Sequence, residues 1–296
     1  MMKQLVFIHG RAQEHKDAAA LKMQWIAAFR EGLEKNGLSM PISGDAIRFP
    51  YYGDTLHGLV SGLPPEKVAE VIVKGDNADD EERTFMRAVI QEVQQRAGIS
   101  DAMLAEAAGA EVIAKGPLNW EWLQGVLKAI DRFVPGASGA SIAIATNDVY
   151  QYLYNIGIRD EIETGIRKAM LPDVPTVVVS HSLGTVVSYS LLRREGKELR
   201  WNVPLFVTVG SPLAITAIRK SLAPNKHPAC VGKWFNAMDE RDVVALHPLD
   251  KENFPLNPAV ENKTDVRNHT ENRHGIAGYL NDREVARRIY DALVQP

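Results

Sequence analysis

Thr176-Val177-Val178-Val179-Ser180-His181-Ser182-Leu183-Gly184-Thr185 begins as a β-branched run and then breaks into small residues. A helical pattern follows at once, running to Arg194. A continuous apolar run of this kind suits a buried parallel strand, and the abrupt change marks a sharp strand-to-helix turn. A serine at the tip of such a turn has its hydroxyl pushed out above the sheet, beside a helix N-terminus that favours negative charge. The turn demands small residues on both sides, because the strand and helix backbones nearly touch. Gly184 meets that demand, and Ser180 stands where glycine is more usual, giving S-x-S-x-G.

Working outward, Leu5 to Ile8 is a second short apolar run, ending in His9-Gly10. Asp17 caps a helix whose face is Leu21, Trp25, Phe29 and Leu33, closed by Asn36-Gly37. A strand over Ala46 to Phe49 stops at Pro50. Strand, helix, strand in this order predicts a parallel sheet. The alternation then lapses from Tyr52 to Met170. Helical spacing appears after Pro65 (Val68, Val71, Ile72), in Phe85 to Val93, in Trp120 to Ile130 and in Ile158 to Met170, and Val134 to Ala145 reads as loop. Strands return at Thr176, at Val203 to Val209 before Gly210-Ser211-Pro212, and at Trp234 to Met238. Asn281 and Glu284 form a capping-box-like start to a final helix carrying Val285, Ile289 and Leu293.

The 296 residues accommodate one α/β domain with an insertion. With 45% hydrophobic and 24% charged residues the chain is of ordinary globular composition, and a net charge of -3 gives no basic face for nucleic acid. Cys230 is the single cysteine and cannot form an internal disulfide. The apolar stretch at residues 4–8 is too short for a signal-peptide core, and no segment reaches the roughly 18 apolar residues of a membrane span. A cytoplasmic protein without an integral membrane segment is expected.

A serine hydroxyl is a weak nucleophile and needs a base with a pKa near 7, which points to histidine. A carboxylate on the far nitrogen must fix the tautomer. In chain order after Ser182, Asp239 and Asp242 follow the strand ending at Met238, and His269 and His274 lie before the final helix. The two histidines lack His-Glu-x-x-His spacing, so no metal site is expected, and no phosphate-binding glycine motif implies a nucleotide cofactor. His57, His227 and His247 read as loop residues, and Trp120 and Trp122 as core packing rather than pocket lining.

Five segments together resemble a known family: Leu5-Val6-Phe7-Ile8-His9-Gly10-Arg11, Val179 to Thr185, Thr208-Val209-Gly210-Ser211-Pro212-Leu213, Asn236 to Val244, and His274-Gly275-Ile276-Ala277-Gly278-Tyr279-Leu280. They are similar to the α/β-hydrolases, in particular the lipase-like group that includes the GPI-inositol deacylases. The resemblance covers residues 3–50 and 172–294 and implies Ser182 as nucleophile. In that family the acid often precedes Pro-Val. Here Val243-Val244 follow Asp242 without the proline, so Asp242 is preferred and Asp239 stands as the alternative. His274 matches the family's histidine before a closing helix, ahead of His269. The backbone N–H groups of Leu183 and Arg11 would form the oxyanion hole, with Gly10 permitting close approach and His9 bracing the loop.

The implied fold is an α/β-hydrolase core, with a mostly parallel central sheet flanked by helices, over residues 1–51 and 171–296, and a mostly helical cap insertion over 52–170. The implied function is hydrolysis of a carboxylic ester, small or lipid-like, without cofactor. A peptidase, amidase or thioesterase on the same fold is the alternative, as is a non-catalytic binding protein on a hydrolase scaffold.

Overall fold

The computed structural model describes residues 3–10, 17–52, 80–117 and 119–295. Its centre is one six-stranded sheet in which every pair is parallel. The strands are β1 (Gln4–Ile8), β2 (Ile47–Arg48), β3 (Thr176–His181), β4 (Val203–Val209), β5 (Val231–Ala237) and β6 (Glu261–Lys263), arranged 2-1-3-4-5-6. β1 and β3 are fully buried, as their continuous apolar runs require of strands covered on both faces.

Alternate residues of β1, β3, β4 and β5 enter two different cores. Leu5, Phe7, Val177, Val179, Val207 and Phe235 face one side, against α1 (Ala18–Glu34) and the C-terminal helix. Val6, Ile8, Val178, Phe206 and Trp234 face the other, in a core shared with the helices that separate β2 from β3. This period of two is the pleat of the sheet. Asp17 caps α1, its carboxylate accepting from the Ala19 N–H at 2.9 Å.

Between β2 and β3 the described residues are helical: α2 (Asp80–Arg96), α3 (Asp101–Ala108), α4 (Ala110–Lys115), α5 (Trp120–Phe133), α6 (Gly139–Tyr154) and α7 (Ile156–Ala169). No strand occurs among the described residues from 80 to 169. Asn119 caps α5, whose Leu123, Val126, Leu127 and Ile130 are buried at helical spacing. The helix expected after Pro65 lies outside the described residues.

Four expectations from sequence are corrected. Residues 139–145 are helical rather than loop: Ser138 caps α6, and Gly139 is needed because a Cβ there would stand 2.5 Å from the Leu127 carbonyl oxygen. The second strand is only Ile47–Arg48, since Ala46 closes a short 3-10 turn. The fifth begins at Val231, and the polar edge strand β6 was not foreseen. The cap of the last helix is Asp282, which accepts from the N–H groups of Glu284 and Val285, not Asn281.

After β3 come α8 (Leu183–Glu195), then α9 (Thr216–Ser221), α10 (Ile276–Leu280) and α11 (Arg283–Val294). A buried ionic cluster ties α7 to α8. The Glu163 carboxylate, fully enclosed, accepts from Tyr152 Oη at 2.6 Å and Arg167 Nη2 at 2.8 Å and pairs with Arg194. Arg167 also grips Glu195 through two bonds of 2.7 Å. Burial and then the charge of Glu163 raise the Tyr152 phenol well above its ordinary range.

Candidate functional site

In an all-parallel sheet the loops after the strands share one edge, and ligands bind where successive crossovers diverge. Here β1 connects outward to β2 while β3 connects towards β4, so the divergence falls between β1 and β3. His9-Gly10 follows β1 at that point, and Ser182 follows β3.

Ser182 has φ 54° and ψ -129°. A non-glycine residue in this region stores roughly 1–3 kcal/mol of strain and is held there only by its surroundings. The restraints are visible. A Cβ on Gly184 would stand 2.4 Å from the Ile8 carbonyl oxygen and 2.6 Å from that of His9. On Gly10 a Cβ would lie 2.7 Å from the Ser182 Cβ. Larger residues at either position would force β1 and the start of α8 apart. Ser180, buried beneath the turn, exchanges a 2.7 Å hydrogen bond with Ser188 of α8. Thr185 adds a hydroxyl bond to the Ser182 carbonyl at 2.7 Å.

Three segments distant in sequence converge on Ser182. His274 Nε2 lies 2.9 Å from Ser182 Oγ, and His274 Nδ1 lies 2.7 Å from Asp242 Oδ2. Asp242, entirely buried, accepts from four donors: His274 and the Tyr279 hydroxyl (2.6 Å) on Oδ2, and the Val244 and Ala245 N–H groups on Oδ1. Burial works to raise this carboxyl. The facing His274 and the bonds from His274, Tyr279 and Val244 outweigh it and hold the group below its ordinary value. The Nδ1 proton therefore points at a carboxylate, which leaves Nε2 as acceptor towards the serine hydroxyl. Such an arrangement can take the hydroxyl proton as the oxygen attacks an electrophile.

Asp239 is placed differently. Arg241 clasps it through Nε at 2.8 Å and its own N–H at 2.9 Å, and the Asn268 N–H donates to its other oxygen. Burial again opposes, but these bonds hold its carboxyl below the ordinary value. Asp239 thus fixes the loop after β5 and makes no bond to His274. His269 is not among the groups meeting Ser182 either.

His9 is fully buried. Its Nε2 accepts from the Tyr52 N–H at 3.2 Å, so Nδ1 donates to the Gly10 carbonyl at 2.6 Å. The ring stacks on Tyr52 with centroids 4.0 Å apart, and the Tyr52 hydroxyl donates to the His9 carbonyl. Burial drives its pKa down to about 4, against the pull of the Gly10 bond. His9 is a neutral brace for the loop beside Ser182.

Leu183 opens α8, where backbone N–H groups have no partner within the helix and can bind an anion. Arg11, the other expected donor, lies outside the described residues.

Three contributors escaped the sequence. Tyr279 sits on α10, five residues after His274, and shares Asp242 Oδ2 with it. Burial and then the charge of Asp242 raise its phenol well above the ordinary value, so it stays a donor. His181 packs on the His274 ring at 4.6 Å and donates from Nε2 to the His274 carbonyl at 2.7 Å. Burial, then the neighbouring His274, lowers its pKa to about 3. Gly210, with φ +57°, completes the nest, since a Cβ there would stand 3.1 to 3.2 Å from the rings of His274, Tyr279 and His181. The signal for Tyr279 was its place in the segment His274 to Leu280, which carries part of the resemblance.

Beside Ser182 lies a narrow cavity whose lining includes Val89 and Val93 of α2, Ile142 and Val149 of α6, and Leu183, Ile215 and Val243. Trp120 and Trp122 are not among its lining residues; Trp122 is core, and Trp120 lies beneath the Arg83 guanidinium. Among the described residues no cluster of three or more His, Cys, Asp or Glu could hold a metal ion. No helix among them is long and apolar enough to cross a membrane. Comparison of the chain with protein-family models, with curated proteins and with solved structures finds no match.

Proposed function

We propose that this chain is a serine hydrolase of the α/β-hydrolase type, cleaving a carboxylic ester. The observation that carries the reading is the relay of short contacts from Ser182 Oγ to His274 Nε2 (2.9 Å) and from His274 Nδ1 to Asp242 Oδ2 (2.7 Å), assembled at the divergence point of a parallel sheet. In this mechanism Ser182 Oγ bonds to the ester carbonyl carbon while its proton passes to His274 Nε2. The oxyanion is met by the Leu183 N–H and, on the resemblance, by that of Arg11. Collapse breaks the ester C–O bond, and His274 returns the proton to the leaving alcohol. Water, deprotonated by His274, then attacks the acyl carbon; the bond to Ser182 Oγ breaks, the acid leaves and His274 returns the proton to Oγ.

Residues 52–170 would act as a cap over residues 1–51 and 171–296. α2 and α6 supply the wall that keeps water from the acyl-enzyme. Cys230 takes no part: burial pushes its thiol up to about 11, so it is a poor nucleophile. A lone inert thiol accords with a cytoplasmic location.

A fluorophosphonate probe tests the chemistry, because it captures an activated serine whatever the natural ester. One adduct is expected, on Ser182, and it should vanish in Ser182→Ala while the circular dichroism spectrum is unchanged. An adduct on Ser180, Ser188 or Ser211, or none at all, would refute the assignment. Parallel ester, amide and thioester panels assign the bond class.

A further inference from the structure

We propose that the acyl group transferred to Ser182 is short and uncharged, of acetyl to propionyl size. This rests on the reading of Ser182 as nucleophile. The cavity beside it is lined by Ser182 and Leu183 but not by His274. The leaving group must lie within reach of His274 Nε2 to receive its proton, so it departs on the His274 side. Among the described residues the space left for what remains bonded to Ser182 is the side walled by Val89, Val93, Ile142, Val149, Ile215 and Val243. Among its described lining residues none is acidic or basic, and the polar ones, Ser182 and Thr146, are engaged: the Thr146 hydroxyl donates to the Ile142 carbonyl at 2.7 Å. A charged acyl chain would be desolvated there without a partner.

Size sets the second limit. The free space is about 20 Å³, room for one or two water-sized groups. Its walls are not loose: Val89, Val93, Ile142, Val149 and Ile218 are each buried and belong to the shared core. A longer chain would have to displace close-packed side chains on two helices at once.

The test is kcat/KM for p-nitrophenyl acetate, butyrate and octanoate, with fluorophosphonate labelling of Ser182 run alongside. Acetate should exceed octanoate at least tenfold. Ile142→Ala should raise the butyrate-to-acetate ratio at least fivefold, and Val149→Ala gives a second opening of the same wall should the first variant fold poorly. A wild-type preference for octanoate with Ser182 labelled overturns the size limit and leaves the nucleophile standing. Labelled Ser182 with no ester in the series cleaved overturns it too. Unlabelled Ser182 removes the underlying reading and this inference with it.

Discussion

Asp239 and Asp242 lie at the end of the same strand, and their surroundings assign them different work. Arg241 and the Asn268 N–H occupy Asp239, while Asp242 faces His274. Losing the carboxylate charge at Asp242 would leave the imidazole without its tautomer-fixing partner, so Asp242→Asn should lower kcat by up to ~10⁴. Asp239→Asn should weaken the loop but cost activity less than tenfold. Steady-state kinetics on the ester turned over best decides the matter, and equal losses would sink the distinction. Ser182 was readable because its setting is local: a strand, a turn and a helix within ten consecutive residues. His274 could be ranked above His269 only by likeness to other sequences, and Asp242 above Asp239 by its trailing valines and its place four residues past Met238. The deciding fact, the grip of Arg241 on Asp239, was present in the sequence as Asp-Glu-Arg. It carried meaning only once the loop's turn brought positions 239 and 241 together.

At the scale of elements, α7 and α8 are coupled through Glu163, the enclosed carboxylate that answers Tyr152, Arg167 and Arg194 together. Removing its charge while keeping its shape leaves the two guanidinium groups facing a neutral amide. Both arginines are partly exposed and can hydrate, so Glu163→Gln should cost about 2–3 kcal/mol, below the usual range for breaking a buried pair. Urea denaturation with an unchanged slope would register it. A loss under about 0.5 kcal/mol, the size of an ordinary surface substitution, would show that the cluster contributes little. Long amphipathic helices such as α5 and α7 were legible from their periodicity. The start of α6 was not, because Gly136, Ser138, Gly139 and Ser141 give the stretch a loop-like composition, which the close packing of Gly139 on Leu127 overrides. β6 was missed for a similar reason. Glu261-Asn262-Lys263 has no strand composition and is held by backbone pairing to β5.

For the molecule as a whole, two buried neutral histidines set a dependence on pH. In the unfolded chain they take up protons near the ordinary 6.5, whereas in the folded protein His9 waits until about 4 and His181 until about 3. Between these limits the unfolded state binds more protons, so stability must fall as pH falls. Each histidine contributes about 1.4 kcal/mol per pH unit across its window and nothing above it. The lowered carboxyls of Asp239 and Asp242 act in the same direction but only below about 4. Urea midpoints should therefore be level from pH 8 to 7 and drop steadily from 6 to 4.5, with a shallower drop in His9→Gln. A flat profile down to 4.5 would contradict the burial of both rings. The pairing of β1 carries a different consequence, one of timing. Gln4 meets Thr176 in the finished sheet, so β1 must wait for that partner while about 170 further residues are synthesised. At 5–20 residues per second that delay is on the order of ten to thirty seconds. Throughout it Leu5-Val6-Phe7-Ile8, an uncharged apolar strand, has one edge without its partner, a longer exposure to mispairing than in a protein of the same size built from neighbouring hairpins.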